Sequence, residues 1–127
     1  MRALAVAFAC VAAPCFAEPV ALTATEIEAT LSGKTVIGDW KGRAYRQYFN
    51  TDGSTIFAMR RAQSTLGEWR VNADTNQYES KWNDPEWESY GVSKDGATFY
   101  WTGRDLEPQA FELVEGADLL WPEQKKN

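Results

Sequence analysis

The chain reads as a mainly β protein: an antiparallel up-and-down meander of about eight strands, barrel-like, with one short N-terminal helix. Three observations predict this. Leu66–Trp82 alternates like a hairpin, with Trp69, Val71, Tyr78, Ser80 and Trp82 on one parity and Glu68, Arg70, Gln77, Glu79 and Lys81 on the other. A period of two separates a packed face from a wet one. The segments around it are short and joined by turn chemistry, including Asp52-Gly53 and Asp95-Gly96, and Asp-Gly between alternating strands is a strong hairpin signal. No segment between them is long and periodic enough to supply the crossover helix of a parallel sheet.

In chain order, residues 1–17 have the pattern of a secretion signal. Arg2 is followed by an uncharged run from Ala3 to Ala13, then by Pro14-Cys15-Phe16-Ala17. Small residues near a cut suit signal peptidase, so cleavage is expected after Ala17, leaving a periplasmic or secreted domain of residues 18–127. The run is too short for a transmembrane anchor, and Pro14 before Cys15 argues against a lipid anchor. Both cysteines, Cys10 and Cys15, leave with the signal, so disulfides, thiolate metal sites and cysteine nucleophiles are excluded from the mature domain. The chain has no histidine, which removes the commonest zinc ligand and general base. Thirteen basic residues less Arg2 leave twelve against eighteen acidic ones, a net charge of −6. That balance disfavours nucleic acid as a partner.

Thr23-Ala24-Thr25-Glu26 has capping-box spacing, Ile27 and Leu31 share a face, and Ser32-Gly33 is a stop. This predicts a helix over 24–32 with a narrow apolar edge, lying on the domain as a lid or plug. Strands are expected at 34–40, 44–50, 54–61, 66–71, 77–82, 86–93, 97–102 and 109–115. Eight such strands can close into a barrel, which removes exposed edges and either fills with side chains or holds one small ligand. Ala117–Pro122 is apolar enough to fold back, and 123–127 reads as a solvated tail.

Two Gly-x-Trp triplets, Gly38-Asp39-Trp40 and Gly67-Glu68-Trp69, carry a resemblance to lipocalin-like (calycin-like) barrels, whose opening motif has a Trp that closes the barrel floor. With Ser32–Thr35 and the Tyr-rich strand Tyr45–Phe49 before its turn, the chain also resembles small secreted bacterial proteins of unknown function. The resemblance implies structural roles for Trp40, Gly67 and Trp69. It also implies a carrier of a small apolar or amphipathic ligand, without a cofactor.

Of the seventeen aromatic residues, only Phe8 and Phe16 lie in the leader. The rest are enough to fill a small core, since each buried ring removes a large apolar area from water. If some line a pocket instead, Tyr45, Phe57, Tyr78, Trp82 and Tyr100 are the candidates. In Phe99-Tyr100-Trp101 consecutive rings must face opposite ways, so at least one points outward. Outward rings beside Trp87 or Tyr90 would suit a second reading, an envelope protein-interaction or inhibitor module.

The acidic run Asp84-Pro85-Glu86-Trp87-Glu88 suggests a third, a hydrolase with Glu86 and Glu88 on one strand face, or a cation site. No loop gathers the six or more oxygens that calcium takes, so no metal residues are assigned. Without His, and with no Ser-x-x-Lys, no serine nucleophile is assigned. Gly33-Lys34-Thr35 lacks the upstream glycine of a phosphate loop. Arg104 is expected to pair with Asp105 or to stack on a Trp. The expectation is therefore a non-enzymatic binding protein whose partner is a small apolar ligand or an envelope protein, with no stable membrane insertion.

Overall fold

Alternation along the strands becomes the inside and outside of a closed wall. The computed structural model describes residues 18–103 and 105–125; the expected signal and cleavage site, and the expected contacts of Arg104, lie outside them. The elements are β1 (Val20–Ala21), α1 (Ala24–Leu31), β2 (Lys34–Trp40), β3 (Arg43–Phe49), β4 (Ser54–Met59), β5 (Thr65–Asn72), β6 (Gln77–Lys81), β7 (Glu88–Asp95), β8 (Thr98–Gly103) and β9 (Leu106–Glu115). A 3-10 turn, Pro122–Gln124, follows. From β2 to β9 each strand pairs antiparallel with its sequence neighbours, and β9 returns to β2. The result is a closed eight-stranded up-and-down barrel with β1 as an extra strand.

The turns follow their residues. Lys41 and Gly42 both have positive φ (51° and 80°) between the paired Trp40 and Arg43, as a two-residue hairpin requires. Every strand after β2 differs from expectation at one end or both, mostly by one or two residues, with β9 beginning at Leu106 where 109 was expected; β7 is shifted at both ends. The strand expected to begin at residue 86 begins at Glu88, because the Asp84 carboxylate accepts the Glu86 N–H and holds that stretch as a turn. It then runs on to Asp95, which places Gly96-Ala97 in the hairpin turn.

β7 is where closure is least regular. Its first residues pair with β6, as in Tyr78↔Tyr90 and Ser80↔Glu88, and Gly91–Asp95 pair with β8. Beyond Tyr90 β6 gives way to the N-terminal segment, which pairs Val20↔Lys94 and Ala21↔Ser93. The Leu22 N–H then donates to the Val92 carbonyl at 2.8 Å, so the backbone groups that β6 leaves are taken up again.

This segment leads straight into α1. Thr23 caps it, its hydroxyl accepting the Glu26 N–H and its own N–H donating to the Glu26 carboxylate. Ile27 and Leu31 are fully buried, and α1 packs against β2, β5 and β6. It plugs the barrel end at which β2 begins and β3 ends. Beneath it lie Val36, Phe49, Trp69, Val92 and Phe111, a filled half-barrel. Trp69 packs edge-on against Phe49 and donates its indole N–H to the Asn50 carbonyl at 2.8 Å.

The C-terminal segment crosses the outside of β2 and β3. Arg46 donates to the Asp118 carbonyl and pairs with its carboxylate at 3.1 Å. Trp121 is buried beneath the guanidinium groups of Arg46 and Arg60. Residues 123–125 of the expected solvated tail are exposed, yet ion pairs tie them to the wall. Glu123 pairs with Arg60 at 2.6 Å and Lys125 with Asp118 at 2.9 Å, so at least residues up to 125 follow Trp121 onto the wall.

Trp69 joins the helix-plugged core to the β3–β4 turn, so its ring has little room to be replaced by relaxation. Trp69→Ala is expected to lower stability by about 3–5 kcal/mol in urea melts, with the far-ultraviolet spectrum preserved. A loss under about 1 kcal/mol would mean that the ring is not packed in this register.

Candidate functional site: an aromatic cavity at the open end

Opposite α1 the barrel is hollow. A cavity of about 370 Å³ opens at the end where β2 finishes and β7 begins, a size within the range of small-molecule pockets. Its base holds Tyr45 and Gln47 from β3, Tyr78 from β6 and Trp101 from β8; its mouth is formed by Trp40, Met59, Thr65, Trp82 and Glu88. Phe57, Ser80 and Tyr90 complete the wall. All of these strand residues sit on the inward parity of their strands.

Two hydrogen bonds cross the lumen at the base. The Trp101 indole N–H donates to the Tyr45 hydroxyl at 2.8 Å, and the Gln47 amide donates to the Tyr78 hydroxyl at 2.9 Å. Gln47 also donates to the Thr55 hydroxyl at 3.0 Å. Buried polar groups need such partners, and here the partners fix ring positions. Burial pushes the Tyr45 phenol up to about 12, against the opposing Trp101 hydrogen bond, and pushes Tyr78 up further still. Both are neutral groups in the physiological range. Burial, with the nearby Glu88 carboxylate, also raises Tyr90.

The mouth is built from rings in contact. Trp40 meets Tyr90 edge-on at 5.7 Å, and Trp82 meets Phe57 at 5.9 Å, while Phe57 stacks on Tyr45 at 5.3 Å. Gly67 makes this possible. A Cβ there would stand 2.5 Å from Cε3 of Trp82 and 2.6 Å from the Lys81 carbonyl oxygen, so only glycine lets Trp82 lie back against β5 instead of across the lumen.

The structure brings four of the five expected pocket residues, Tyr45, Phe57, Tyr78 and Trp82, to this one cavity. Tyr100 is the correction. It alternates with Trp101, whose ring points inward, so Tyr100 lies half-buried on the outer wall, opposite Ala110 of β9 and Ser93 of β7. Of the three residues expected to be structural, Gly67 backs Trp82 and Trp69 lies in the plugged core. Trp40 stands at the open mouth, not at a closed floor. Trp101 and Tyr90 belonged to the wider set of rings that could fill the barrel or line a pocket, while Gln47 and Glu88 were not expected at a pocket. For Glu88 the available signal was its strand parity.

The acidic run does not form a paired site. Glu86 lies in the turn before β7, and only Glu88 reaches the cavity. Among the described residues no group of three or more metal-capable side chains comes together. Trp87 is folded onto the outer wall, with Arg70 over its ring at 3.8 Å. Arg70 also donates to Glu79 at 2.7 Å, and Ser89 donates to the other carboxylate oxygen. Burial raises Glu79, but these partners outweigh it and hold the carboxyl below its usual range.

Compared with protein-family models, with curated proteins and with solved structures, the chain finds no match.

The buried phenols make the fold alkali-sensitive. Below about pH 10 the unfolded chain also keeps its phenolic protons, so the stability that accompanies the raised values is fully present. As pH rises from there through about 12, the unfolded state releases protons that native Tyr45 retains, and stability falls. Urea midpoints are expected to decline above about pH 10, with phenolate absorbance of the buried rings appearing only as the fold is lost. Midpoints unchanged well above that pH would show that these phenols are solvated.

Proposed function

We propose that this protein is a non-enzymatic binding protein of the periplasm or extracellular space that carries one small apolar or amphipathic molecule in the open half of its barrel. The supporting observation is the cavity itself. A barrel of this strand number can be filled completely, and this one is filled only on the α1 side. The remaining 370 Å³ is walled mainly by aromatic faces, with Gln47, Ser80, Thr65 and Glu88 as the polar positions. Pockets of this make-up bind by burying apolar surface, and a few polar groups set orientation. The exported location follows from the leader pattern of residues 1–17.

A second reading, an envelope interaction or inhibitor module, would use the outer wall. It is supported by exposed Leu66 and Leu120 and half-buried Tyr100. The outer Trp87 ring, however, is already engaged by Arg70, so the inner cavity is the better-supported site.

Titration with a neutral fluorescent probe such as phenylnaphthylamine tests the carrier reading. Binding is expected at one site per chain with quenching of tryptophan emission. Trp82→Ala should weaken it about tenfold, the equivalent of losing one aromatic wall, while Tyr100→Ala on the outer wall leaves it unchanged. Equal effects of the two substitutions, or no saturable binding, would overturn the reading.

A further inference from the structure

The charge distribution at the mouth narrows the ligand class. Glu88 is the charged side chain among the described residues lining the cavity. It pairs directly across from Ser80, which is buried and inward-facing, so the register directs the carboxylate to the lumen side at the first residue of β7. Trp40, Tyr90 and Trp82 line the same cavity, with Trp40 in contact with Tyr90 and Tyr90 close enough to feel the Glu88 charge. The face of an aromatic ring carries negative quadrupole potential, and rings grouped near a site attract ammonium groups, quaternary ones above all. The Trp40–Tyr90 pair meets at 85°, so the two rings present differently oriented surfaces to the same opening. The whole chain is also acidic, at −5, which favours the approach of cations.

From these observations we infer that the cavity takes an organic cation: a molecule with an apolar body that fills the aromatic lumen and an ammonium head held at the mouth between Glu88 and the Trp40, Tyr90 and Trp82 rings. This rests on the reading of the cavity as a ligand site. An anionic amphiphile such as a fatty acid would place its carboxylate beside Glu88 and against the ring faces, where both repel it. The mouth thereby selects by repulsion as well as attraction. The base of the cavity offers the body no charge to compensate, since Tyr45 and Tyr78 are neutral and their hydroxyls already accept hydrogen bonds from Trp101 and Gln47.

Three ligands with one chain and different heads separate the possibilities: decyltrimethylammonium, decanol and decanoate, each below its micelle concentration and followed by tryptophan fluorescence. At low salt the ammonium is expected to bind at least about tenfold more tightly than decanoate, with the gap shrinking as salt rises. Glu88→Gln, a near-isosteric change at an exposed position, should reduce ammonium affinity about threefold to tenfold and change decanol affinity by clearly less. Trp40→Leu should weaken the ammonium more than decanol. Decanol binding with no preference for ammonium over decanoate would overturn this inference and leave the carrier reading standing. So would an unchanged ammonium affinity in Glu88→Gln. If none of the three binds, both fall together.

Discussion

The barrel depends on a polar layer in the middle of an apolar interior. Trp101 donates to Tyr45 and Gln47 donates to Tyr78, both across the lumen and both out of water. A buried donor or acceptor without a partner costs several kcal/mol in an apolar setting, so each of these side chains is held in the orientation that satisfies the other. On one side of the layer Phe49, Trp69 and Phe111 pack against the α1 plug. On the other, the layer's own Tyr45, Tyr78 and Trp101 rings form the base of the cavity. Tyr45 and Trp101 cannot swing up to fill it without giving up their hydrogen bond, and Gly67 lets Trp82 lie back. The hollow is therefore maintained by hydrogen bonding and one glycine, not by a shortage of side chains.

The rest of the fold keeps that layer in register. Closure between β9 and β2 brings Phe111 opposite Gly38, where a Cβ would stand 3.2 Å from the Tyr45 ring and its hydroxyl, a tight contact that glycine avoids. The N-terminal segment restores pairing where β6 leaves β7, then delivers α1 to the filled end. The C-terminal segment holds Arg46 and Trp121 together outside β3, the strand that carries Tyr45 and Gln47 within. One end is thus sealed by helix and side chains, and the other is left open.

Much of this was legible in residue order. Strict alternation from Trp69 to Trp82 specified which face of the central hairpin turns inward, and the glycine turns set the meander. The inward parity placed Tyr78 and Trp82 correctly together, because a one-residue slip would have turned both outward. Tyr100 shows where periodicity stops. In Phe99-Tyr100-Trp101 all three residues are large and apolar, so alternation gives no contrast, and the inward pair is decided by the partners Phe111 and Tyr45. Trp40 carried a motif associated with a closed floor, yet the helix sits at the start of its strand and leaves it at the mouth. Glu88 read as one of two carboxylates sharing a strand face with Glu86; the Asp84 turn leaves Glu86 outside β7, and pairing with Ser80 gives Glu88 alone to the cavity. The Arg60–Glu123 pairing joins residues far apart in sequence, so no local pattern could announce it.

Native mass spectrometry of the protein isolated from the cells that make it tests the half-filled barrel most directly. A chain with one small apolar or amphipathic molecule bound, released on unfolding and displaced by a bulky inward substitution at Ser80, is the predicted result. A ligand-free chain in a barrel whose open half is closed over by its own Trp40 and Trp82 rings would contradict it.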